Sequence, residues 1–192
     1  MPKDNDSLSR RWLCWPQPYD PVMSPSEPSG PDLDGVVADA NAVGLPYVVI
    51  GGFSVIANGF LRATDDSDLL VPDGEETDEK ILRFLERVEA TRLHDDKILT
   101  RDDVIGAHHL RVRSRHGIID IMRGGLPPLD YETVVAGAID AEAGGEPAPV
   151  ANLRSIVGFK RLADRPRDRR DLEELEALHG KLPIDPIPGL DS

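Results

Sequence analysis

Residues 49–71 read VIGGFSVIANGFLRATDDSDLLV and contain the pattern that decides the fold. This stretch opens with the end of a short apolar run, 47–50, which predicts a buried strand that two glycines follow directly. A short helix is predicted from Phe53 to Leu61, and a second strand from Ser67 to Val71. Glycine lets backbone N–H groups approach a ligand closely, and the first turn of a helix favours negative charge. We therefore predict a phosphate site formed by Gly51, Gly52 and Ser54.

Two aspartates stand at the start of the second predicted strand. Asp66 and Asp68 are two residues apart, so both side chains are expected on the same face. Adjacent carboxylates repel each other, and a cation between them relieves that repulsion. Carboxylate oxygens are ligands of Mg²⁺, which usually also binds substrate phosphates. The alternative is an acidic, solvated strand end, which Asp65 and Asp73 make reasonable in an acidic protein.

A third carboxylate, Asp120, stands at the centre of the apolar run Ile118–Met122. A buried charge is costly unless it is paired or functional. One interpretation exposes Asp120 on the solvent face of a two-sided strand. The other places it beside Asp66 and Asp68, where it completes a two-metal site and receives the proton of an attacking hydroxyl.

The remaining pattern predicts an α/β chain with a helical C-terminal extension. Asp32 is expected to cap a first helix, and a Gly144-Gly145 turn marks a hairpin within 141–151. Further predicted elements are a helix at 78–91, a hairpin of His109–Arg113 and Ile118–Met122, and helices at 152–163 and 166–179. The domain division that we predict is a Pro-rich arm (1–31), a core (32–125), a C-terminal hairpin with helices (126–182) and a tail (183–192).

The arm contains seven prolines and both tryptophans of the chain, Trp12 and Trp15. These tryptophans either dock the arm onto the domain or bind a partner. No apolar run approaches the roughly 20 residues that a membrane span needs, and this predicts no membrane segment. The single cysteine, Cys14, cannot form an internal disulfide, and it has no partner base, so we do not expect a nucleophile there. This fits a cytoplasmic protein.

The net charge of −13 argues against binding of an extended nucleic acid, because such proteins usually present a basic surface. Residues 151–181 are less acidic, with 8 Lys and Arg against 6 Asp and Glu. A small anion or an RNA end therefore remains compatible with the composition.

The spacing of these residues resembles that of the polymerase-β-type nucleotidyltransferases. Members carry a hydrophobic residue, a glycine pair, a spacer and then two acidic residues that flank an apolar one. Here 13 residues, 53–65, separate Gly52 from Asp66. Ser67 departs from the pattern, but its side chain is expected to face away from the acids. The resemblance implies a mixed sheet with flanking helices, an NTP substrate and Mg²⁺ or Mn²⁺.

Within this superfamily the chain is most similar to the AbiEii/MenT-type toxins of bacterial toxin–antitoxin systems. Residues 62–66, Arg-Ala-Thr-Asp-Asp, match their Arg-x-Thr motif before the acid pair, and we assign Arg62 to nucleotide binding. Residues 160–172 match their late Lys-x-x-Ala-x-Arg-x-x-Asp-x-x-Asp-Leu motif. The likeness spans about 40–180. It implies a tRNA 3′ end as acceptor and a cognate antitoxin as partner.

Several charged residues outside the stretch 49–71 have two interpretations each. Lys160 is predicted to bind phosphate or to stabilise the leaving pyrophosphate. Arg165, Asp168 and Asp171 either contact the acceptor or form ion pairs between the last two helices. A stripe of three arginines either contacts the acceptor RNA or triphosphate, or forms a solvated face: Arg111, Arg113 and Arg115. We interpret three histidines as surface residues: His108, His109 and His116.

Two other functions remain open. Small-molecule nucleotidyltransferases such as those acting on aminoglycosides share the fold and the acid pair, and acidic walls would attract a polycationic drug. A non-catalytic, antitoxin-like regulator is the other alternative, although the presence of all three acids argues against it.

Overall fold

The structure, a computed structural model, describes residues 30–191 of the 192-residue chain. The predictions for Trp12, Trp15 and Cys14 lie outside the described residues. Seven strands are found within the described range: β1 (Val48–Ile50), β2 (Asp66–Val71), β3 (Thr91–Arg92), β4 (His109–Ser114), β5 (Gly117–Arg123), β6 (Ile139–Ala143) and β7 (Glu146–Val150). The helices of the same range are α1 (Leu33–Ala42), α2 (Gly51–Ala57), α3 (Glu75–Arg87), α4 (Arg101–Val104), α5 (Tyr131–Ala136), α6 (Leu153–Ala163) and α7 (Pro166–His179).

All seven of these strands form one mixed sheet in the order β3-β4-β5-β2-β1-β7-β6. The pairs β2–β5 and β1–β7 are parallel, whereas the other neighbours are antiparallel. The predicted mixed α/β fold is therefore confirmed. Because β7 pairs with β1, the C-terminal hairpin β6–β7 extends the same sheet that carries the acidic strands.

The sheet has a hydrophobic cluster on each face. Leu69 and Val71 of β2 pack into the cluster that includes Val36 of α1 and Phe84 of α3. Leu70 packs on the opposite side, with α2, α6 and α7. Side chains alternate along a strand, so the acidic residues of β2 share the face that α2, α6 and α7 cover. None of the helices within residues 30–191 combines the length and apolar character that a bilayer span requires.

Helix α2 differs from its prediction at both ends. It begins at Gly51 rather than Phe53 and ends at Ala57 rather than Leu61. The side chain of Asn58 donates to the carbonyl oxygens of Ser54 and Ala151 at 2.8 and 3.0 Å. The next residue, Gly59, has a φ of +103°, which ends the helix. Three short elements, β3, α4 and α5, were not predicted because they are too short to show a periodicity.

Asp39 of α1 anchors the tip of the β4–β5 hairpin. Its buried carboxylate accepts hydrogen bonds from Arg87 at 2.7 Å and Arg115 at 2.6 Å. The Nε2 atom of His116 lies 2.9 Å from the same carboxylate, and its Nδ1 atom lies 2.9 Å from Asp32. The predicted arginine stripe is therefore wrong at Arg115, which lies beyond the end of β4. The surface assignment of His116 is also wrong, since its side chain is only 13% exposed.

Replacing Asp39 with asparagine should lower the free energy of unfolding at pH 7 by about 2 kcal/mol, because three charge-assisted hydrogen bonds weaken. Burial raises the pKa of Asp39, but hydrogen bonds from His116, Arg115 and Arg87 outweigh it, and the net pKa lies below its usual value. A depressed folded-state pKa gives stability that is complete above the unfolded pKa, about 3.9, and lost as pH falls through the folded-state value.

Denaturant unfolding at pH 7 and below pH 4 should therefore show the difference between wild type and Asp39→Asn shrinking with acid. Asp34→Asn, an exposed aspartate on the same helix, is the matched control and should change stability little. A difference that is independent of pH would contradict the assignment.

Candidate active site

Three carboxylates meet where β2 and β5 run side by side. The parallel register pairs Asp68 with Asp120, and Asp66 lies two residues earlier on β2. One oxygen from each of these three residues lies within 4.8 Å of the other two. Asp120 is 4% exposed, so the central charge of its apolar strand is buried on the covered face and not solvated. The structure thus brings together the three acids that the sequence singles out.

The electrostatics of this triad show excess negative charge. Burial raises the pKa of Asp68 to about 6, and the neighbouring carboxylates of Asp66 and Asp120 add to the effect. Burial also raises the pKa of Asp120, although His109 and Arg111 act in the opposite direction. Both shifts report the cost of holding like charges close together away from water.

The two glycines at the start of α2 leave room for the side chain of Asp68. A Cβ atom on Gly51 would lie 1.9 Å from Oδ2 of Asp68, and Gly51 has a φ of +63°, a conformation that side chains disfavour. The backbone N–H of Gly52 donates a hydrogen bond to Asp68. A Cβ atom on Gly52 would lie 2.2 Å from Oγ1 of Thr64, the threonine of the Arg-x-Thr motif. The glycine pair therefore allows the chain to pass directly against the acid strand.

A pocket of about 350 Å³ opens beside the triad. Asp68 and Asp120 form its acidic wall, while α6 contributes apolar side chains such as Ile156 and Phe159. Gly51 and Ser54 line it from α2. Ser54 is buried, and its hydroxyl donates to the Gly51 carbonyl at 2.8 Å. Two of the three predicted phosphate residues, Gly51 and Ser54, thus border the same pocket as two of the acids, whereas Gly52 does not line it.

Strand β4 supplies two cationic or protonatable groups to the triad. Arg111 contacts Asp120 and lies 3.1 Å from Oδ2 of Asp66. Nε2 of His109 lies 2.8 Å from Oδ1 of Asp120. We predicted a surface position for His109 and missed this contact. The available signal was its spacing of two residues from Arg111, which puts both on one strand face. Arg113 continues that face but pairs with Asp96, away from the triad.

The late motif forms a buried ion-pair network between α6 and α7. Nζ of Lys160 lies 2.8 Å from Asp168 and 2.8 Å from Asp171, and all three side chains are at most 5% exposed. Burial alone would raise the pKa of Asp168. Hydrogen bonds from Arg165 and Lys160 outweigh this effect and lower the pKa to about 2. Lys160 lines the pocket, yet its ammonium group is held by these two carboxylates. The ion pairs between the last two helices, one of the two interpretations of Asp168 and Asp171, are therefore present.

Two further predicted arginines approach the site from this network. Arg62 pairs with Asp171, with its Nε atom 2.8 Å from Oδ1, which joins the Arg-x-Thr motif to α7. Arg165 borders the pocket at the start of α7, pairs with Asp168 and leaves 70% of its side chain exposed. Arg165 is thus a cation at the pocket rim, whereas Arg62 is largely buried.

The donor set of the triad fits a divalent metal ion. Hard cations such as Mg²⁺ and Mn²⁺ bind carboxylate oxygens, and three such oxygens converge here. Within residues 30–191, no lysine, arginine or histidine side chain forms an ion pair with Asp68, so this carboxylate has no cationic side chain of the protein as a direct partner. Asp66, Asp68 and Asp120 are the residues that would hold the ion.

Comparison with solved structures assigns the chain a nucleotidyltransferase fold. The antibiotic-resistance factor ANT(2'')-Ia, in a solution structure, aligns with a TM-score of 0.52 and 15% identity over 77% of this chain and 82% of that chain. Two crystal structures align with lower scores. One is ANT(2'')-Ia with adenylyl-2''-tobramycin, with a TM-score of 0.47, 16% identity, and 76% and 91% of the two chains covered. The other is an antigenic nucleotidyltransferase-like protein from Paracoccidioides brasiliensis, with a TM-score of 0.48, 16% identity, and coverage of 77% and 76%.

No protein-family profile and no curated protein matches the sequence. At 15% identity, the likeness to ANT(2'')-Ia shows the fold alone. It confirms the predicted nucleotidyltransferase fold, a mixed sheet with flanking helices.

Gly51→Ala should destabilise the protein more than Gly44→Ala. Both glycines have a φ of +63°, so both substitutions carry the same backbone strain, about 1 kcal/mol. Only at Gly51 would the new Cβ atom collide with Asp68, since nothing lies within 4 Å of a Cβ at Gly44. Denaturant unfolding of the two variants measures the difference directly. Equal losses would show that Gly51 is not needed to make room for Asp68.

Proposed function

We propose that this chain is a metal-dependent nucleotidyltransferase that transfers NMP from an NTP to an acceptor hydroxyl. The observation that carries the proposal is the convergence of Asp66, Asp68 and Asp120, two of which, Asp68 and Asp120, line one pocket together with Gly51. A divalent ion bound by the triad would polarise the phosphate oxygens and neutralise charge in the transition state. The nucleotidyltransferase fold supports this chemistry.

Each part of the pocket has a task in this reaction. Gly51 leaves no side chain between the triad and the triphosphate, Gly52 continues the same turn, and Ser54 borders the same space as Gly51. Asp120, with a pKa raised by burial, accepts the proton of the acceptor hydroxyl. The hydroxyl oxygen then forms a bond to the α-phosphorus, and the bond from that phosphorus to the leaving pyrophosphate breaks. Lys160 supports the developing negative charge from the pocket wall.

We further propose an RNA 3′ end, in particular that of tRNA, as the acceptor, with the protein acting in the cytoplasm as a toxin that a cognate antitoxin neutralises. This rests on the similarity of residues 62–66 and 160–172 to the AbiEii/MenT-type toxins. The cationic rim supports an anionic acceptor, because Arg111 and Arg165 border the pocket with 39% and 70% of their side chains exposed.

Asp68→Asn should reduce NMP transfer from labelled NTP by at least about 100-fold, because an amide binds a divalent ion far more weakly than a carboxylate. The variant should stay folded, since one of three mutually repelling charges is removed. Asp65→Asn is the matched control, because the ion pair that this exposed neighbour forms within residues 30–191 is to Arg167, and it lies outside the triad. Transfer by Asp68→Asn at the wild-type rate would refute the proposed function.

The acceptor can be identified through salt dependence. With tRNA as acceptor, Arg165→Gln should weaken tRNA binding and reduce the slope of log affinity against log salt by about 1, the change expected for one lost phosphate contact. Arg169→Gln is the control, because this arginine of α7 pairs with Asp164 and does not border the pocket. Label transferred to an aminoglycoside and never to tRNA would favour the small-molecule alternative. Label found on neither, with intact NTP binding, would favour a non-catalytic regulator.

A further inference from the structure

Arg111 occupies a bridging position between two of the three acids. It lies directly opposite Asp120 in the antiparallel β4–β5 register. Its guanidinium contacts Asp120 through Nη1 and lies 3.1 Å from Oδ2 of Asp66 through Nη2. His109 takes the other oxygen of Asp120, at 2.8 Å. Both oxygens of Asp120 and one of Asp66 therefore already face a nitrogen of β4.

Asp68 differs from Asp66 and Asp120 in its ion pairs. Among residues 30–191, no nitrogen of a lysine, arginine or histidine side chain forms an ion pair with Asp68. Its carboxylate accepts a hydrogen bond from the backbone of Gly52. The uncompensated negative charge of the triad is therefore concentrated on the Asp68 side, whereas the Asp66–Asp120 side has its own cation.

Arg111 is also free to leave this position. Its side chain is 39% exposed, and its ion pairs within the described residues go to triad members alone. A guanidinium and a divalent ion held by the same carboxylate oxygens repel each other and draw on the same negative charge, so the binding of one disfavours the binding of the other.

We propose that Arg111 is a built-in counter-ion that competes with the metal for the oxygens of Asp66 and Asp120. It keeps the triad partly neutralised without metal and lowers the metal affinity of the nucleotide-free protein. Metal binding displaces the guanidinium from the carboxylates and leaves it at the pocket rim, where an anionic substrate can take it as a partner. The inference deepens the proposed function and rests on it for the identity of the metal site.

The test is a Mn²⁺ titration of the full-length protein without nucleotide, in which electron paramagnetic resonance measures the free ion. Arg111→Gln should bind Mn²⁺ about tenfold more tightly than wild type, equivalent to about 1.4 kcal/mol. Arg113→Gln is the matched control, because this arginine lies two residues further along the same strand face and pairs with Asp96. Its Mn²⁺ affinity should stay within about twofold of wild type.

Arg111→Lys is the second variant, which keeps the positive charge and replaces Arg111→Gln if that variant does not fold. A lysine has a single ammonium group and no planar fork to bridge two carboxylates, so Mn²⁺ should bind several-fold more tightly than in wild type. Thermal unfolding gives a second readout. Saturating Mn²⁺ should raise the melting temperature of either Arg111 variant more than that of wild type, because ligand stabilisation grows with affinity.

Mn²⁺ affinity that is unchanged or weaker in the folded Arg111 variants would overturn the inference. This failure is distinguishable from failure of the proposed function, which is measured separately as NMP transfer by the wild type. Transfer by wild type with unchanged Mn²⁺ affinity in the variants refutes only the competition. Tighter Mn²⁺ binding in the variants, with no transfer by wild type from any NTP, supports the competition and refutes the enzymatic assignment.

Discussion

The central constraint in this structure is the mutual repulsion of three carboxylates that strand pairing holds together. Parallel pairing of β2 with β5 sets Asp68 beside Asp120, and the alternation of β2 adds Asp66 to the same face. Two unit charges 4 Å apart interact by about 4 kcal/mol at the effective dielectric of a protein surface. The fold offsets this cost with the Gly52 N–H group and the side chains of β4. The surrounding features can be understood as responses to that charge.

Residues 160–172 are important because their ion pairs hold helices α6 and α7 over the triad. Lys160 on α6 and Asp171 on α7 pair with each other, and Arg62 connects Asp171 to the loop before β2. Buried ion pairs of this kind contribute little net stability, but removing one partner leaves an uncompensated charge, so the geometry is strongly specified. Segments 109 residues apart in sequence are thereby tied into one unit with the pocket between them. This is a physical reason for the Arg-x-Thr and Lys-x-x-Ala motifs to occur together.

Local patterns predicted much of this arrangement, and non-local pairing accounts for the rest. The spacing of Asp66 and Asp68 was enough to place them on one strand face, and the Gly144-Gly145 hairpin was evident from its turn residues. The approach of Asp120 depends on β2 and β5 becoming neighbours, which no local pattern encodes. The contacts of His109 and Arg111 with Asp120 form within the predicted β4–β5 hairpin, whose register sets Arg111 opposite Asp120, and they were missed because that register was not worked out. Arg115 was misplaced because strand alternation was extended past Ser114, where the chain turns towards Asp39.

The charge balance of the pocket is compatible with the anionic substrate that we propose, although the net charge of the chain is −13. Three acids border the pocket, Asp68, Asp120 and Asp168, and three Lys or Arg residues border it too, Arg111, Lys160 and Arg165. The pocket is therefore much closer to neutral than the whole chain. Each divalent ion bound at the triad would add two positive charges and release Arg111 from its carboxylates. For the triphosphate and the RNA end that we propose as substrates, affinity would then depend on metal occupancy and on the local charge balance, while the net charge of the distant surface is screened beyond about 10 Å.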